Sequence, residues 1–341
     1  MQAGRVQDVA GNMELRMSTI SRRQLMQLGA ATALTAQLTP ALAANPLNLG
    51  FQITTWGAIG MVAEARQSFK KQNVDVAFNK FDSGVAVRDA LVAGRVDIGV
   101  TAVSTFIVGV DKGNLTGIAT VAYSGASNSI VVAMNSPIKS VADLRGKKVA
   151  SQFGAGSDYT FRNKVLPKFG LKPEDLQLVN AKYGDHVAAL ASGSVDAFVG
   201  TEPFPAVAEA EGIARLLVTF QDFDLVPVIL AINRPVLQQR RKDVVAFMRG
   251  WLDAVDFMRS QPEQAAHIVT EVFRQKGEDL SEKVVRTALD RLGVDPDFRP
   301  ALFPYLQEQA QVLLKQHKIS ALPDWDKALD RTILKDARAN G

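Results

Sequence analysis

The sequence predicts an α/β protein with two Rossmann-like lobes joined by a two-strand hinge, a ligand cleft between the lobes, and C-terminal helices packing on lobe one. Three observations lead to this fold class. The chain of 341 residues is 47% apolar and 22% charged, which is typical of soluble globular proteins and long enough for two domains. A helix-to-strand step occurs twice in it. Two apolar segments, 130–135 and 226–233, flank the second copy of that step.

The repeated step consists of an Ala/Leu-rich helix, a glycine and a short apolar strand. Its two copies are Ala90–Val100 and Ala189–Val199, offset by 99 residues. In each copy the helix ends at a glycine, Gly94 or Gly193, suited to the left-handed C′ position, and a Val-Asp pair leads into the strand. One such step is generic to α/β proteins, but two copies about one domain apart favour two similar lobes.

The elements around these copies alternate between strand and helix. They are, in order, a strand at 47–53, a helix at 61–71, a strand at 74–78, a strand at 147–151, a helix at 158–169 and a strand at 176–179. The segments 130–135 and 226–233 are apolar, β-branched and followed by Asn and Pro, and we interpret them as paired crossover strands that form the hinge. Lobe one is therefore expected at 44–133 plus 230–341, and lobe two at 134–229.

The C-terminal part is predicted to be helical. Apolar residues recur there at alternating spacings of four and three, at Val244, Met248, Trp251, Val255 and Met258. A further helix begins at Ser281 and can end at Gly293. We expect these helices to pack back on lobe one.

The first 43 residues have the features of a twin-arginine signal peptide with an N-terminal extension. Arg22 and Arg23 precede a weakly apolar run at 28–38 and an A-x-A cleavage site at Pro40–Ala44. The run is too short to span a bilayer. The alternative is an amphipathic helix with a chance arginine pair. The sequence thus predicts that the precursor uses the twin-arginine export machinery and that the mature chain lies in the periplasm.

Composition argues against several classes of function. With 39 basic and 35 acidic side chains the formal charge is only +4, which argues against a nucleic-acid partner. The absence of cysteine removes disulfides, thiol nucleophiles, cysteine-based metal sites and a lipid anchor. His186, His267 and His317 lack the spacing of a metal site. We therefore expect no metal, no cofactor and no lipid anchor, and we expect a monomer.

Candidate binding residues follow the predicted strands, because ligands of α/β sheets bind beyond the carboxyl ends of the strands. Most are small or hydroxylated, so a ligand can reach backbone N–H groups, and helix N-termini there favour an anion. In lobe one they are Thr54, Thr55, Trp56, Ser83, Gly84, Thr101 and Ser104, and in lobe two Gly156, Ser157, Asp158, Tyr183 and Glu202. The aromatic members can stack on a flat ligand. The alternative is that all of them are ordinary turn, cap or packing residues.

No catalytic motif emerges from the sequence. The segment 154–156, Gly-Ala-Gly, follows a strand and opens a helix, as in dinucleotide-binding proteins. However, Tyr159 replaces the third glycine, and Asn180 stands where a ribose-binding acid is expected. No Ser/His/Asp arrangement or general acid/base pair can be nominated. An exported oxidoreductase with a nicotinamide-type cofactor is therefore the alternative function rather than the first.

Several segments resemble aliphatic-sulfonate and taurine periplasmic binding proteins. Asn135–Ala150 resembles the segment that opens the second lobe in that family, and the resemblance continues at 154–157, Gly193–Phe198 and Glu202–Phe204. It covers most of the mature chain. It implies a type II periplasmic binding fold without enzymatic activity. The two lobes would close around a small anionic or zwitterionic solute and deliver it to the membrane permease subunits of an ABC importer.

The chain departs from the sulfonate pattern at a position where serines are usual. Ala155 and Gly156 stand there, and Asp158 follows. An exposed carboxylate near an anion site repels a second negative charge and can pair with an amine, which favours a zwitterion or a neutral heterocycle such as a pyrimidine. Asp158 can equally stabilise its own helix N-terminus, and Glu202, which precedes a proline, can support a turn.

Overall fold

The structure, a computed structural model, describes residues 45–81, 83–153 and 155–339. The predicted signal peptide lies outside the described residues, as do positions 82 and 154. In the described part of the chain, ten strands form two sheets. The strands are β1 Leu47–Gln52, β2 Val76–Phe81, β3 Ile98–Ala102, β4 Leu115–Tyr123, β5 Asn128–Ala133, β6 Lys148–Ser151, β7 Gln177–Asn180, β8 Ala197–Thr201, β9 Ala214–Thr219 and β10 Pro227–Asn233.

The α-helices of the described residues alternate with the strands and then continue to the C-terminus. They are α1 Ala58–Ala65, α2 Gly84–Val92, α3 Val103–Gly113, α4 Gly156–Thr160, α5 Tyr183–Ala191, α6 Phe204–Ala210, α7 Arg234–Gln239, α8 Arg241–Ser260, α9 Pro262–Gln275, α10 Glu282–Asp290, α11 Leu302–Lys315, α12 Trp325–Ala328 and α13 Thr332–Ala339. Among the described residues, no helix is both long and apolar enough to cross a membrane.

The two sheets have the same architecture. Their strand orders are β2-β1-β3-β10-β4 and β7-β6-β8-β5-β9. Within each sheet four strands run in one direction, and the fourth strand in spatial order, β10 or β5, runs against them. The predicted fold class, a two-lobed α/β protein, is confirmed.

In each sheet, the repeated helix-to-strand step connects two neighbouring strands near their first residues. Gly94 and Gly193 have φ of 67° and 71°, the left-handed conformation expected at the end of a helix. Asp97 accepts a 2.8 Å hydrogen bond from the backbone N of Asn48, and Asp196 accepts an equivalent bond from the first residue of β6. The Val-Asp pair of each copy thus fixes β3 to β1 and β8 to β6.

The expected hinge strands do not pair with each other. β5 lies in the second sheet between β8 and β9, and β10 lies in the first between β3 and β4. The chain crosses between the sheets at 124–127 and 220–226, whereas the sequence analysis put the crossings at 133/134 and 229/230. An apolar, β-branched segment predicts a buried strand but carries no information about which sheet accepts it.

Helices cover both faces of the first sheet. Helices α1, α8, α9 and α13 pack on one face, and α2, α3 and α11 on the other. The predicted stripe of α8 is buried, and Trp251 in its middle is fully enclosed. Ser281 caps α10 by accepting a hydrogen bond from the backbone N of Val284. The prediction that the C-terminal helices pack on lobe one is confirmed.

The helix predicted at 158–169 is not a uniform α-helix. After α4, the segment Phe161–Val165 forms a π-helical turn and Leu166–Phe169 a 3₁₀ turn. Pro167 has no backbone N–H and cannot continue the α-helical hydrogen bonds. The segment predicted at 61–71 is also shorter, because α1 ends at Ala65 and Gln67 adopts a φ of 53°.

Candidate functional site

A cavity of about 980 Å³ lies where the strands of both sheets end. Gln52 ends β1, Ala102 ends β3 and Thr201 ends β8, and all three line it. The C-terminal helices α9 and α11 contribute further wall, including Phe273, Tyr305 and Val312. Nine of the twelve predicted site residues line this cavity, namely Thr54, Thr55, Trp56, Ser83, Ser104, Gly156, Ser157, Tyr183 and Glu202.

Three predicted site residues do not line the cavity. Gly84 starts α2 directly after Ser83, whose hydroxyl accepts a hydrogen bond from the backbone N of Ala86. Thr101 is fully buried in β3 and donates to the carbonyl of Ile229 at 3.4 Å. The third is Asp158. The sequence pattern that predicted these three residues gives their positions in the chain, but not whether each residue faces the cavity.

Asp158 is buried rather than exposed. Its Oδ1 accepts hydrogen bonds from the hydroxyl of Ser151 and from Nε of Arg162, both at 2.8 Å. The carboxylate is therefore neutralised within lobe two. The expectation of an exposed acid beside an anion site is wrong, and with it the argument from this residue for a zwitterion or a neutral heterocycle.

Lobe two presents a hydrogen-bonded polar wall built from the loop after β6 and the first turns of α4, α5 and α6. The hydroxyls of Tyr183 and Ser157 are 2.7 Å apart, and the backbone N of Tyr183 donates to the side-chain oxygen of Gln152 at 3.2 Å. The Tyr183 ring stacks on Phe204 with a centroid distance of 6.1 Å. Burial raises the pKa of Tyr183, so its phenol stays protonated at neutral pH and keeps a proton to donate.

Lobe one presents a buried amide. Gln52 is 4% exposed and lines the cavity, and its Oε1 accepts no hydrogen bond from any described residue. A buried amide oxygen without a donor costs about 1–3 kcal/mol, so this group is a candidate partner for a ligand. Gln52 was not among the predicted site residues because it belongs to an otherwise apolar strand. Its position at the end of that strand, where ligands bind, could have identified it as a candidate.

Glu202 lines the cavity and also takes part in an ion pair that connects the two lobes. Its Oε1 lies 2.7 Å from Nη1 of Arg291, and Nη2 of the same guanidinium lies 2.6 Å from Glu209. Arg291 follows α10, which packs in the core of the first sheet, whereas both glutamates belong to the second lobe. Burial raises the pKa of Glu202, and the Arg291 hydrogen bond opposes that rise.

A second carboxylate closes the cavity near α11. Asp224 lies in the 220–226 crossing and is 5% exposed. Its carboxylate accepts a 2.6 Å hydrogen bond from the hydroxyl of Thr160 and forms an ion pair with Nζ of Lys164 at 3.4 Å. The Lys164 ammonium also lies 4.6 Å from the ring centroid of Tyr305. Burial and the nearby Asp224 carboxylate raise the pKa of Tyr305. Both buried carboxylates of the cavity wall thus have a cation of this chain as partner.

The remaining polar wall was not predicted from the sequence. It consists of neutral or exposed groups, namely Asn128, Gln152, Tyr159, Thr160, Thr201, Gln309, Gln316 and the charged side chains of Lys276, Glu278, Asp279 and Lys318. Six of these eleven, Lys276, Glu278, Asp279, Gln309, Gln316 and Lys318, lie within or shortly after α9 or α11 rather than in the loops that follow parallel strands. No histidine is present among the described residues of the wall.

Comparison with known proteins identifies related chains. Residues 58–265 match the model of the NMT1/THI5 like family. The chain is 30% identical over 236 residues to a protein of Escherichia coli (strain K12) named "Putative aliphatic sulfonates-binding protein", covering 67% of this chain and 71% of that one. The structure is similar to the periplasmic aliphatic sulphonate binding protein SsuA of Escherichia coli, with a TM-score of 0.72, 24% identity, and coverage of 84% and 92%.

A similar fold also occurs in DszB, which is described as a desulfurization enzyme. A mutant of DszB in complex with biphenyl-2-sulfinic acid has a TM-score of 0.66 to this structure at 14% identity, covering 86% of this chain and 99% of that one. At this identity the likeness concerns the fold alone, and a fold does not determine whether its cleft binds or reacts.

Proposed function

The chain belongs to the NMT1/THI5-like family, and we propose that it is the substrate-binding component of an ABC importer, which captures an organic sulfonate and delivers it to the membrane permease. The relative of 30% identity carries the name of an aliphatic-sulfonates-binding protein, which supports this solute class. The SsuA structure supports the same mode of action, since it has this fold and is described as a periplasmic binding protein.

One observation carries the proposal for this chain. The cavity is lined from both lobes by neutral hydrogen-bonding groups, among them Thr55, Ser83 and Ser157. A sulfonate is a weakly basic anion with three acceptor oxygens, and such donors hold it without a covalent step. A ligand that touches both lobes binds the closed form better, and this differential affinity drives closure about the 124–127 and 220–226 crossings.

We propose binding rather than catalysis. Glu202 and Asp224 are each neutralised by a cation of the chain, so neither is poised as a general base in the geometry described. The chain contains no cysteine to act as a nucleophile. A separate observation weighs against the oxidoreductase alternative, because Tyr159 stands at the third glycine position of the dinucleotide-binding motif and lines the cavity.

Export and location are part of this proposal. We propose that the twin-arginine machinery exports the precursor, that the mature chain is a monomer free in the periplasm, and that it has no lipid anchor. The order of the signal regions around Arg22 and Arg23 supports this route. The periplasmic location named for SsuA is consistent with it.

A thermal-shift screen followed by product analysis tests the function. Sulfonates, taurine, nitrate and pyrimidines are added to the mature chain, and the stabilising compound is then recovered. A bound solute raises the free energy of unfolding by about 2.7 kcal/mol at a hundredfold excess over its Kd. The proposal expects stabilisation by sulfonates and recovery of the compound unchanged. Stabilisation by nitrate or a pyrimidine alone contradicts the solute class, and turnover contradicts the binding role.

Matched serine variants show whether stabilisation arises in the cavity. Ser157→Ala removes a hydroxyl of the cavity wall, whereas Ser192→Ala removes an exposed hydroxyl of the same lobe that bonds only to neighbours in its own turn. The first is expected to reduce the thermal shift and the second to leave it unchanged. Equal shifts in both variants place the ligand elsewhere.

A further inference from the structure

The size of the cavity is informative about the solute. In the lobe arrangement of this structure the cavity has about 980 Å³, the upper end of the range for pockets that hold drug-sized ligands. Taurine has roughly seven heavy atoms, and at about 30 Å³ for each, the value of liquid water, it occupies on the order of 200 Å³. A solute of that size contacts only a small part of this wall, whereas a larger solute gains contact with more of it.

The composition of the wall points to an apolar body on the solute. The polar groups come mainly from strand ends and the loops after them, as at Gln52 and Ser157. Beside the polar groups of the same region, α6, α9, α11 and the segment after α9 add an apolar and aromatic surface, contributed by Phe204, Val207, Phe273, Leu280, Tyr305, Val312 and Leu313. Burying apolar ligand surface against such side chains is a main source of affinity.

The charged groups in the buried part of the wall favour a solute with one negative charge. Glu202 is paired with Arg291 and Asp224 with Lys164, and Lys276 contacts Glu278 at 3.3 Å. Lys318 is exposed. A second anionic group on the ligand would have to give up its hydration without a buried cation of this wall to replace it, which is costly. One anionic head can instead be held by neutral donors.

On the premise of the proposed function, we infer that this cleft is built for a bulky, singly charged organosulfonate, an arenesulfonate or a long-chain alkanesulfonate. Its sulfonate contacts the neutral donors near the strand ends, and its apolar body lies against the wall formed by α6, α9 and α11. Taurine, short alkanesulfonates and disulfonates are poor ligands of this chain.

Calorimetric titration of the mature chain tests this inference with probes that differ in one property. Butane-1-sulfonate and octane-1-sulfonate share a head and differ by four methylenes. Each buried methylene improves Kd about fourfold, so octane-1-sulfonate is expected to bind roughly two hundredfold more tightly. Naphthalene-2-sulfonate is expected to bind more tightly than taurine, and naphthalene-2,6-disulfonate at least about tenfold more weakly than the monosulfonate.

A pair of variants locates the body-binding wall. Val312→Phe enlarges a side chain that lines the cavity, whereas Gln311→Phe places the same ring on the neighbouring exposed position of α11 outside it. The first should weaken octane-1-sulfonate at least about tenfold and leave butane-1-sulfonate unchanged, because the new ring covers the part of the apolar wall that only the long chain reaches. The second should alter neither Kd.

The outcomes separate this inference from the function on which it rests. If taurine or butane-1-sulfonate binds as tightly as the large probes, or if the disulfonate binds as tightly as the monosulfonate, the inference is overturned and sulfonate binding stands. If Val312→Phe weakens both alkanesulfonates equally, the assignment of the wall is overturned. If no sulfonate of any size binds, the proposed function falls together with the inference.

Discussion

Arg291 forms the ion pairs between the end of α10 and the second lobe. The loss of folding stability on replacing it can be worked out from its contacts. In Arg291→Met the apolar stem is retained, while both bonds to Glu202 and Glu209 are lost. The Glu202 side chain is 1% exposed and keeps only the backbone N–H of Ala206, which donates to it at 3.2 Å. Breaking a buried ion pair costs about 3–5 kcal/mol, and because the Arg291 side chain is 21% exposed we expect the lower end, about 3 kcal/mol at pH 7.5.

The pH dependence of this loss has a definite sign. Burial raises the pKa of Glu202 above its value in the unfolded chain, and Arg291 opposes that rise, so removing Arg291 raises the pKa further. A folded state with the higher pKa binds the proton more tightly. Its stability therefore falls as pH rises from the unfolded pKa of 4.5 through the folded pKa. The loss in Arg291→Met is thus expected to be smaller at pH 5 than at pH 7.5.

Urea unfolding of the mature chain at both pH values measures the effect. Adding Glu202→Gln to Arg291→Met should restore part of the stability, because the buried charge is then gone. Arg286→Met is the matched control, at a position within α10, the helix that Arg291 follows. Its partners Glu263 and Asp290 are exposed, and its loss should stay below about 1 kcal/mol. An equal loss at both pH values, or no recovery with the glutamine, would refute the reasoning.

Three further predictions concern export, the optical signal and the polar wall. Replacing Arg22 and Arg23 by lysine should leave the precursor in the cytoplasm, because lysine lacks the forked guanidinium, and unchanged periplasmic yield in cell fractions would count against the signal. Trp56 lines the cavity while Trp251 is enclosed, so octane-1-sulfonate should change intrinsic fluorescence in the parent chain but not in Trp56→Phe, although both compact in small-angle scattering. Tyr183→Phe removes the hydroxyl bonded to Ser157 and should weaken that ligand about three- to tenfold by calorimetry. An unchanged Kd would assign that hydroxyl to structure alone.

The features that could be predicted from the sequence are those fixed by local physical chemistry. A glycine after an Ala/Leu-rich helix requires only its own backbone freedom, so Gly94 and Gly193 were identifiable in advance. The buried stripe of α8 follows from a periodicity within one helix. The loops after parallel strands converge because of the handedness of α/β units, and for this reason nine of the predicted positions share one cavity.

The features that could not be predicted depend on distant partners. The strand β5 pairs with β8, about seventy residues away, and its own composition is compatible with either sheet. Asp158 was expected to be exposed, but its carboxylate is held by Ser151 and Arg162. Asp224 and Tyr305 meet only because a crossing and a C-terminal helix reach the same end of the cavity. A pattern within one segment of the sequence does not predict contacts between residues that are far apart in the chain.

We propose that the chain binds an organosulfonate between its lobes without consuming it. Native mass spectrometry of the mature chain with naphthalene-2-sulfonate, followed by release and identification of the ligand, tests this most directly. Binding without turnover predicts one ligand per chain and full recovery of naphthalene-2-sulfonate, with no sulfite formed over hours. The absence of a complex at saturating ligand, or the appearance of sulfite with a desulfonated product, would contradict it.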